Sequence, residues 1–317
     1  MKSLSTAFRH IALASVASVC LALPLGSATQ ADTGTGASGS STAPAASDGS
    51  SSSTEEVHPT GVDANGNRLS DLQLRKNPSL RTYSGNAAGL YPMKRTGDSP
   101  DSVIPPDQRT RVNPTTGYPD RAIVYITKDD RHHCSGWMVS ADTLVTAGHC
   151  LYNRGGKAWY TNLKFFPGAN GNVRPYGFAT ATQLWTDVNY TRSGDTRQDW
   201  GVVKLNRRIG DTTGWFGLRW QAQTYNGTTA TVRGYPGDKP HGQMWTMSGK
   251  IEDSQPNKLC YSHDTFGGQS GSPIYLSNNT VIGIHTNGVS RFGLCPKRNA
   301  GTRITQGLFS VILNIAR

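Results

Sequence analysis

After residue 31 the 317-residue chain has no apolar run long enough to cross a bilayer as a helix, so no further helical span is expected. It has no Cys-x-x-Cys pair and its cysteines are widely spaced, a poor pattern for zinc. It has no Lys/Arg run interleaved with aromatics, so a nucleic-acid surface is not expected. Sustained helical periodicity is missing before the last dozen residues, and no segment repeats in the manner of a solenoid or propeller.

What is present divides the chain. The one apolar run, 11–26, follows Lys2 and Arg9 and precedes the small residues of 27–31. That is the pattern of a secretory signal peptide, with removal expected near Ala31. Cys20 would leave with it, and Val19 stands where a lipoprotein signal needs a small residue. Cys134, Cys150, Cys260 and Cys295 remain, an even number that fits an exported chain with two disulfides and three possible pairings. Residues 32–56 are Ser, Thr, Gly and Ala with little to bury, and are expected to be disordered. Residues 57–101 are mixed and polar. From Ala122 onward, short strand-like runs alternate with Gly, Asn, Asp and Pro, the signature of an all-β sandwich or barrel. Leu308, Phe309, Val311, Ile312 and Ile315 give the last dozen residues one apolar helical face. From Ser102 onward there are 24 Lys and Arg against 13 Asp and Glu, a net +11, whereas residues 32–101 carry 6 against 8. A basic surface confers solubility or attracts acidic substrates and anionic surfaces.

Three segments carry chemistry. In the first, 143–150, a run of β-type residues ends in a small-residue turn presenting His149, with Cys150 next and Cys134 one short hairpin upstream. A Cys134–Cys150 bridge would pin that turn, which suits a base that must hold one orientation. In the second, 198–205, Asp199 precedes an apolar strand, where a buried carboxylate can fix an imidazole tautomer and stabilise the imidazolium. In the third, 266–273, Gly267, Gly268 and Gly271 surround Ser270. Glycines there let the Gly268 and Ser270 amides face one point beside the serine hydroxyl as an oxyanion hole. The three lie 50 and 71 residues apart, in the order His, Asp, Ser. Together they point to acyl transfer by a Ser270–His149–Asp199 triad.

These residues resemble the chymotrypsin-like proteases, and more closely the bacterial glutamyl endopeptidases. The resemblance runs from about Ser102 to about Leu308. It includes the stretches 102–104, 109–112, 134–138, 146–150, 234–239, 264–273, 285–289 and 301–305. It implies an all-β fold of two antiparallel six-stranded β-barrels with a C-terminal helix, preceded by a signal peptide and a propeptide. The expected division is signal 1–31, a partly disordered propeptide 32–101 and a protease domain 102–317, with a first barrel at 102–205 and the second barrel and helix at 206–317. It implies cleavage after Glu, less readily after Asp. The primary pocket would be walled by the stretch before the serine and by a strand about fifteen residues after it, which here supply Thr265 and His285. A hydroxyl and an imidazole suit a carboxylate.

Asp264 conflicts with this. It stands six residues before Ser270, where trypsin-like enzymes hold the aspartate that binds Lys or Arg. The flanking residues and His285 favour the acidic reading, with Asp264 turned from the pocket. Composition agrees, because Glu252 is the only glutamate among the 13 acidic residues from Ser102 onward. Gln269 replaces the aspartate with which digestive zymogens pair their new N-terminus, so activation is expected instead by removal of 32–101 before Ser102, with Asp101 permitting self-processing. Elimination leaves Cys260–Cys295 as the second disulfide. The expected protein is a secreted, extracellular monomer that acts on proteins or peptides and binds its own propeptide. It needs no cofactor or metal, binds no nucleic acid, and leaves the membrane once the signal is gone. The alternatives are a protease cutting after Lys or Arg and an inactive binding module on the same fold.

Overall fold

The computed structural model describes residues 56–69, 82–83, 85 and 101–317. The expected signal peptide and the stretch 32–55 lie outside them. Runs rich in Val, Ile, Thr and aromatics form the strands, and residues tolerating positive φ make the turns. Asp129 and Asp130, at φ 49° and 60°, make the two-residue turn between the first pair of core strands.

Six strands build the first barrel: β1 (Ile123–Lys128), β2 (Arg131–Met138), β3 (Thr143–Thr146), β4 (Leu163–Pro167), β5 (Ala181–Asp187) and β6 (Gly201–Leu205). They pair antiparallel in the order β4-β1-β2-β3-β6-β5. Phe165 in β4 and Ala179 just before β5 exchange two 3.0 Å backbone hydrogen bonds and close the ring. Six more build the second: β7 (Thr229–Gly234), β8 (Trp245–Lys250), β9 (Lys258–Tyr261), β10 (Pro273–Tyr275), β11 (Thr280–Asn287) and β12 (Asn299–Arg303). Their order is β9-β12-β11-β10-β7-β8, and the chain beyond β8 bends so that Asp253–Ser254 pairs back on β9. Closure leaves few free strand edges. Trp137 and Trp200 fill the first barrel, while Ile251, Leu259, Ile274 and Ile282 fill the second. This is the expected all-β architecture.

The segments flanking the barrels cross over. Helix α1 (Gln306–Ala316) is capped by Thr305, whose side chain accepts from the Leu308 amide, and buries Leu308, Phe309, Val311 and Ile312. It packs against β3 and β6 of the first barrel. Residues 102–111, grouped by sequence with the first barrel, run along the second. Asp101–Ser102 pairs with Thr265–Phe266, and Thr110–Arg111 pairs with β8. The physical reason is the second barrel's open edges, which these extended residues cover.

The region ahead of residue 102 also contributes. Pro59–Asp63 pairs along β5 and turns back through Arg68–Leu69. Val57 and Val62 are buried against the first-barrel core, and Gly61 crosses Trp185 so closely that a Cβ would sit 2.6 Å from the indole. Thr82–Tyr83 pairs with Gly217–Arg219.

Candidate active site

The site forms where the turn after β3 and the segment before β6, both of the first barrel, meet the turn before β10 of the second. His149 lies in a single tight turn, Gly148–Cys150. A Cys134–Cys150 disulfide ties that turn to β2, and Cys260–Cys295 forms the other bridge. Asp199 is almost wholly buried beside Trp200. Its carboxylate accepts twice from the same residue: Oδ1 from the His149 amide at 2.9 Å and Oδ2 from His149 Nδ1 at 2.8 Å. The Thr302 hydroxyl donates to the Asp199 carbonyl at 3.0 Å, joining this corner to β12. Burial disfavours the imidazolium, but Asp199's charge and hydrogen bond outweigh it, so the His149 pKa lies above its ordinary 6.5. Burial likewise raises Asp199, and the adjacent His149 overcomes this and holds its pKa below the usual carboxylate value.

The serine turn is held by backbone and by Ser135. The Ser135 amide donates to the Ser270 carbonyl at 2.8 Å, and its hydroxyl donates to the Gly268 carbonyl at 2.8 Å. The Gly271 amide donates to the His285 carbonyl at 2.7 Å. Gly271, at φ 87°, admits no side chain, since a Cβ would lie 2.1 Å from Thr146 Oγ1 and 2.2 Å from the Ser135 carbonyl. Gly268, at φ 96°, turns its carbonyl toward Ser135. Neither the Gly268 amide nor the Ser270 amide has a hydrogen-bond acceptor among the described residues. Two unspent amides flanking a half-buried serine are the donors an oxyanion needs. Ser270 Oγ makes no hydrogen bond to His149 in this unliganded geometry, a contact that commonly tightens only with substrate.

Gln269 is fully buried. Its Oε1 accepts from the Phe266 amide at 3.0 Å and from Arg109 Nη1 at 3.5 Å. Arg109 also pairs with Asp107 and Asp238. An internal arginine thus contacts the residue that precedes the serine.

The two expected pocket residues are both buried. Thr265 is fully buried, and its hydroxyl has no partner among the described residues. His285 is buried on β11, with Nδ1 2.6 Å from the Tyr261 hydroxyl. Burial pushes its pKa down to about 3, helped by nearby His149 and Lys258, so the imidazole is neutral. With Tyr261 as donor, Nδ1 accepts and Nε2 carries the proton. Asp264 is engaged by other groups: its two oxygens accept from the Ile104 and Gln108 amides, each at 2.7 Å. It anchors the segment after Ser102.

Sequence reasoning missed Tyr261, Ser135 and Lys258. Ser135 follows a cysteine in a quoted stretch but had no assigned role. Tyr261 and Lys258 sit in β9 with no motif around them. Among the described residues Cys134, His149 and Cys150 form the one cluster close enough to share a metal ion. Both sulfurs are spent in the disulfide, and His149 Nδ1 is spent on Asp199.

Residues 109–304 match the trypsin family. A glutamyl endopeptidase of Bacillus licheniformis is 41% identical over 221 residues, covering 67% of this chain and 68% of that protein. A Bacillus subtilis protein named extracellular metalloprotease is 39% identical over 223 residues, covering 67% and 69%. A solved structure of a Glu endopeptidase in complex with MPD aligns with a TM-score of 0.62 at 31% identity, covering 68% of this chain and 99% of that one.

Proposed function

The chain belongs to the trypsin family of serine proteases, and we propose that it is a secreted endopeptidase that cuts after glutamate through Ser270, His149 and Asp199. The observation that carries the specificity is the pair Thr265 and His285. A buried hydroxyl without a partner is costly unless a ligand completes it. His285 is a neutral imidazole hydrogen-bonded to Tyr261 and to the Ala300 backbone, so it adds no fixed charge. Together they present a hydroxyl without a partner among the described residues and no fixed anion, which suits a carboxylate. The name of the Bacillus licheniformis relative supports the same reading.

In the proposed reaction Ser270 Oγ attacks the carbonyl of the glutamate itself. His149 Nε2 takes the hydroxyl proton while Asp199 holds Nδ1 and steadies the imidazolium. The Gly268 and Ser270 amides receive the oxyanion. His149 then passes its proton to the leaving amine, the acyl-enzyme forms, and a water activated by His149 releases the acid product. The region 32–101 serves as a propeptide removed at Asp101–Ser102.

Peptide substrates ending in Glu or Arg test the reading. The Glu substrate is turned over and the Arg substrate is not, while Ser270→Ala lowers kcat by roughly 10⁴-fold or more without unfolding the chain. Turnover of the Arg substrate alone would restore the trypsin-like alternative. Turnover of neither leaves a binding module.

A further inference from the structure

Lys258 is the only buried lysine among the described residues, and the reaction above does not use it. Its ammonium donates to Thr286 Oγ1 at 3.0 Å and Asn287 Oδ1 at 2.8 Å, both neutral oxygens. It forms no ion pair within the described residues. An ammonium has three protons to give, so one remains unspent. Burial pushes its pKa down to about 8, opposed by the charges of Asp199 and Asp195. Such a group is costly to keep unless something uses its charge.

Lys258 and Asn287 line a cavity of about 180 Å³ whose other wall is the loop from Gly288 to Leu294. That loop carries Phe292, 78% exposed, and Leu294, 44% exposed. Arg298 adds a second cation to the lining, engaged on Glu252 at 3.3 Å. An apolar mouth leading to a buried ammonium matches a short aliphatic stem ending in a carboxylate.

The cavity is placed to meet a substrate. β10 pairs with β11 only as far as Ile284, and the last backbone bonds on that side, to Ser272 and Gly271, are made by His285. Beyond His285 that edge of β11 is open at Thr286 and Asn287. An extended peptide whose cleaved residue sits at His285 can add to this edge as a strand. Alternate side chains of such a strand face one way, at about 3.3 Å per residue, so a side chain roughly two to four residues upstream reaches the cavity.

We propose that the cavity floored by Lys258 is a second acidic subsite, which binds the carboxylate of a glutamate or aspartate upstream of the cleaved residue. The proposal rests on the peptidase reading above. The enzyme is then selective for clustered acidic sequence rather than for a single glutamate.

The test uses peptides that all end in Glu at the cleaved position and carry Glu or Ala at each of the three residues before it. Protein from expression of the full chain cuts the best acidic variant with kcat/KM roughly tenfold or more above the all-Ala peptide, most of it in KM. In Lys258→Met that ratio collapses to about one. A wild-type ratio near one at every position overturns the subsite, and this result needs no variant to fold. A ratio that survives in Lys258→Met overturns it too. So does an equal loss of kcat on all peptides, which would make Lys258 a positioning residue for Asp199. Failure to cut any of the Glu peptides sinks the peptidase reading and the subsite with it.

Discussion

At the residue scale, the site works through pairs whose members alter each other. His149 is held above its ordinary pKa of 6.5 only because Asp199 outweighs burial. A base must be neutral to act, so activity is absent while His149 is protonated and appears as pH rises through its raised pKa. Replacing Asp199 with Asn removes the attraction and leaves burial, which lowers the pKa. The acidic limb of the kcat/KM profile therefore moves to lower pH in Asp199→Asn, while kcat falls by about 10⁴-fold. A pH–rate profile in which the limb stays put would show that Asp199 does not set the base. Asp264 shows the converse, a residue with a familiar spacing and a different task. Both oxygens of its carboxylate accept from backbone amides, so it holds the segment after Ser102 in place.

At the element scale, the serine turn is built from glycines because two parts of the molecule crowd it. A Cβ on Gly268 would lie 2.3 Å from His132 Cε1, at a φ of 96° that side chains avoid. Gly268→Ala must rotate the peptide that aims its own amide. The expected result is a kcat lower by on the order of 10²–10³-fold with KM little changed. Unchanged kcat would remove that amide from the oxyanion site. This turn was legible in sequence because its signal is local: glycines on both sides of one serine. The His149 turn was legible for the same reason. The pocket was not legible from local pattern, and Thr265 and His285 came from resemblance alone. Asp264 misleads in isolation because its partners are amides 160 and 156 residues away, and a backbone amide leaves no mark in a sequence. Lys258 was silent because its significance lies in burial and in a cavity walled by a distant loop. The strand Pro59–Asp63 escaped notice because its run is short and contains Pro and Gly. The open edge of β5 makes it a strand.

At the scale of the whole molecule, the described residues ahead of Ser102 are a structural part of the chain. They add a hairpin to β5, bury Val57 and Val62, and supply His58, whose amide donates to Asp187 at 2.9 Å. Asp101–Ser102 pairs with Thr265–Phe266. Cleavage there would separate the hairpin covalently from the barrels, and the protein would lose whatever stability the tether gives it. The wild-type protein, sequenced after secretion, is expected to begin at Ser102, while Ser270→Ala remains uncut if the processing is its own. The pair then permits a direct comparison. The uncut Ser270→Ala chain should melt a few degrees above the same variant expressed as 102–317, where 1 kcal/mol corresponds to roughly 2–4 °C. It should also unfold with a larger denaturant m-value, because more surface is exposed on unfolding. Equal melting temperatures and equal m-values would mean that the hairpin adds nothing to the fold, and that residues 56–69 lie on β5 without stabilising it.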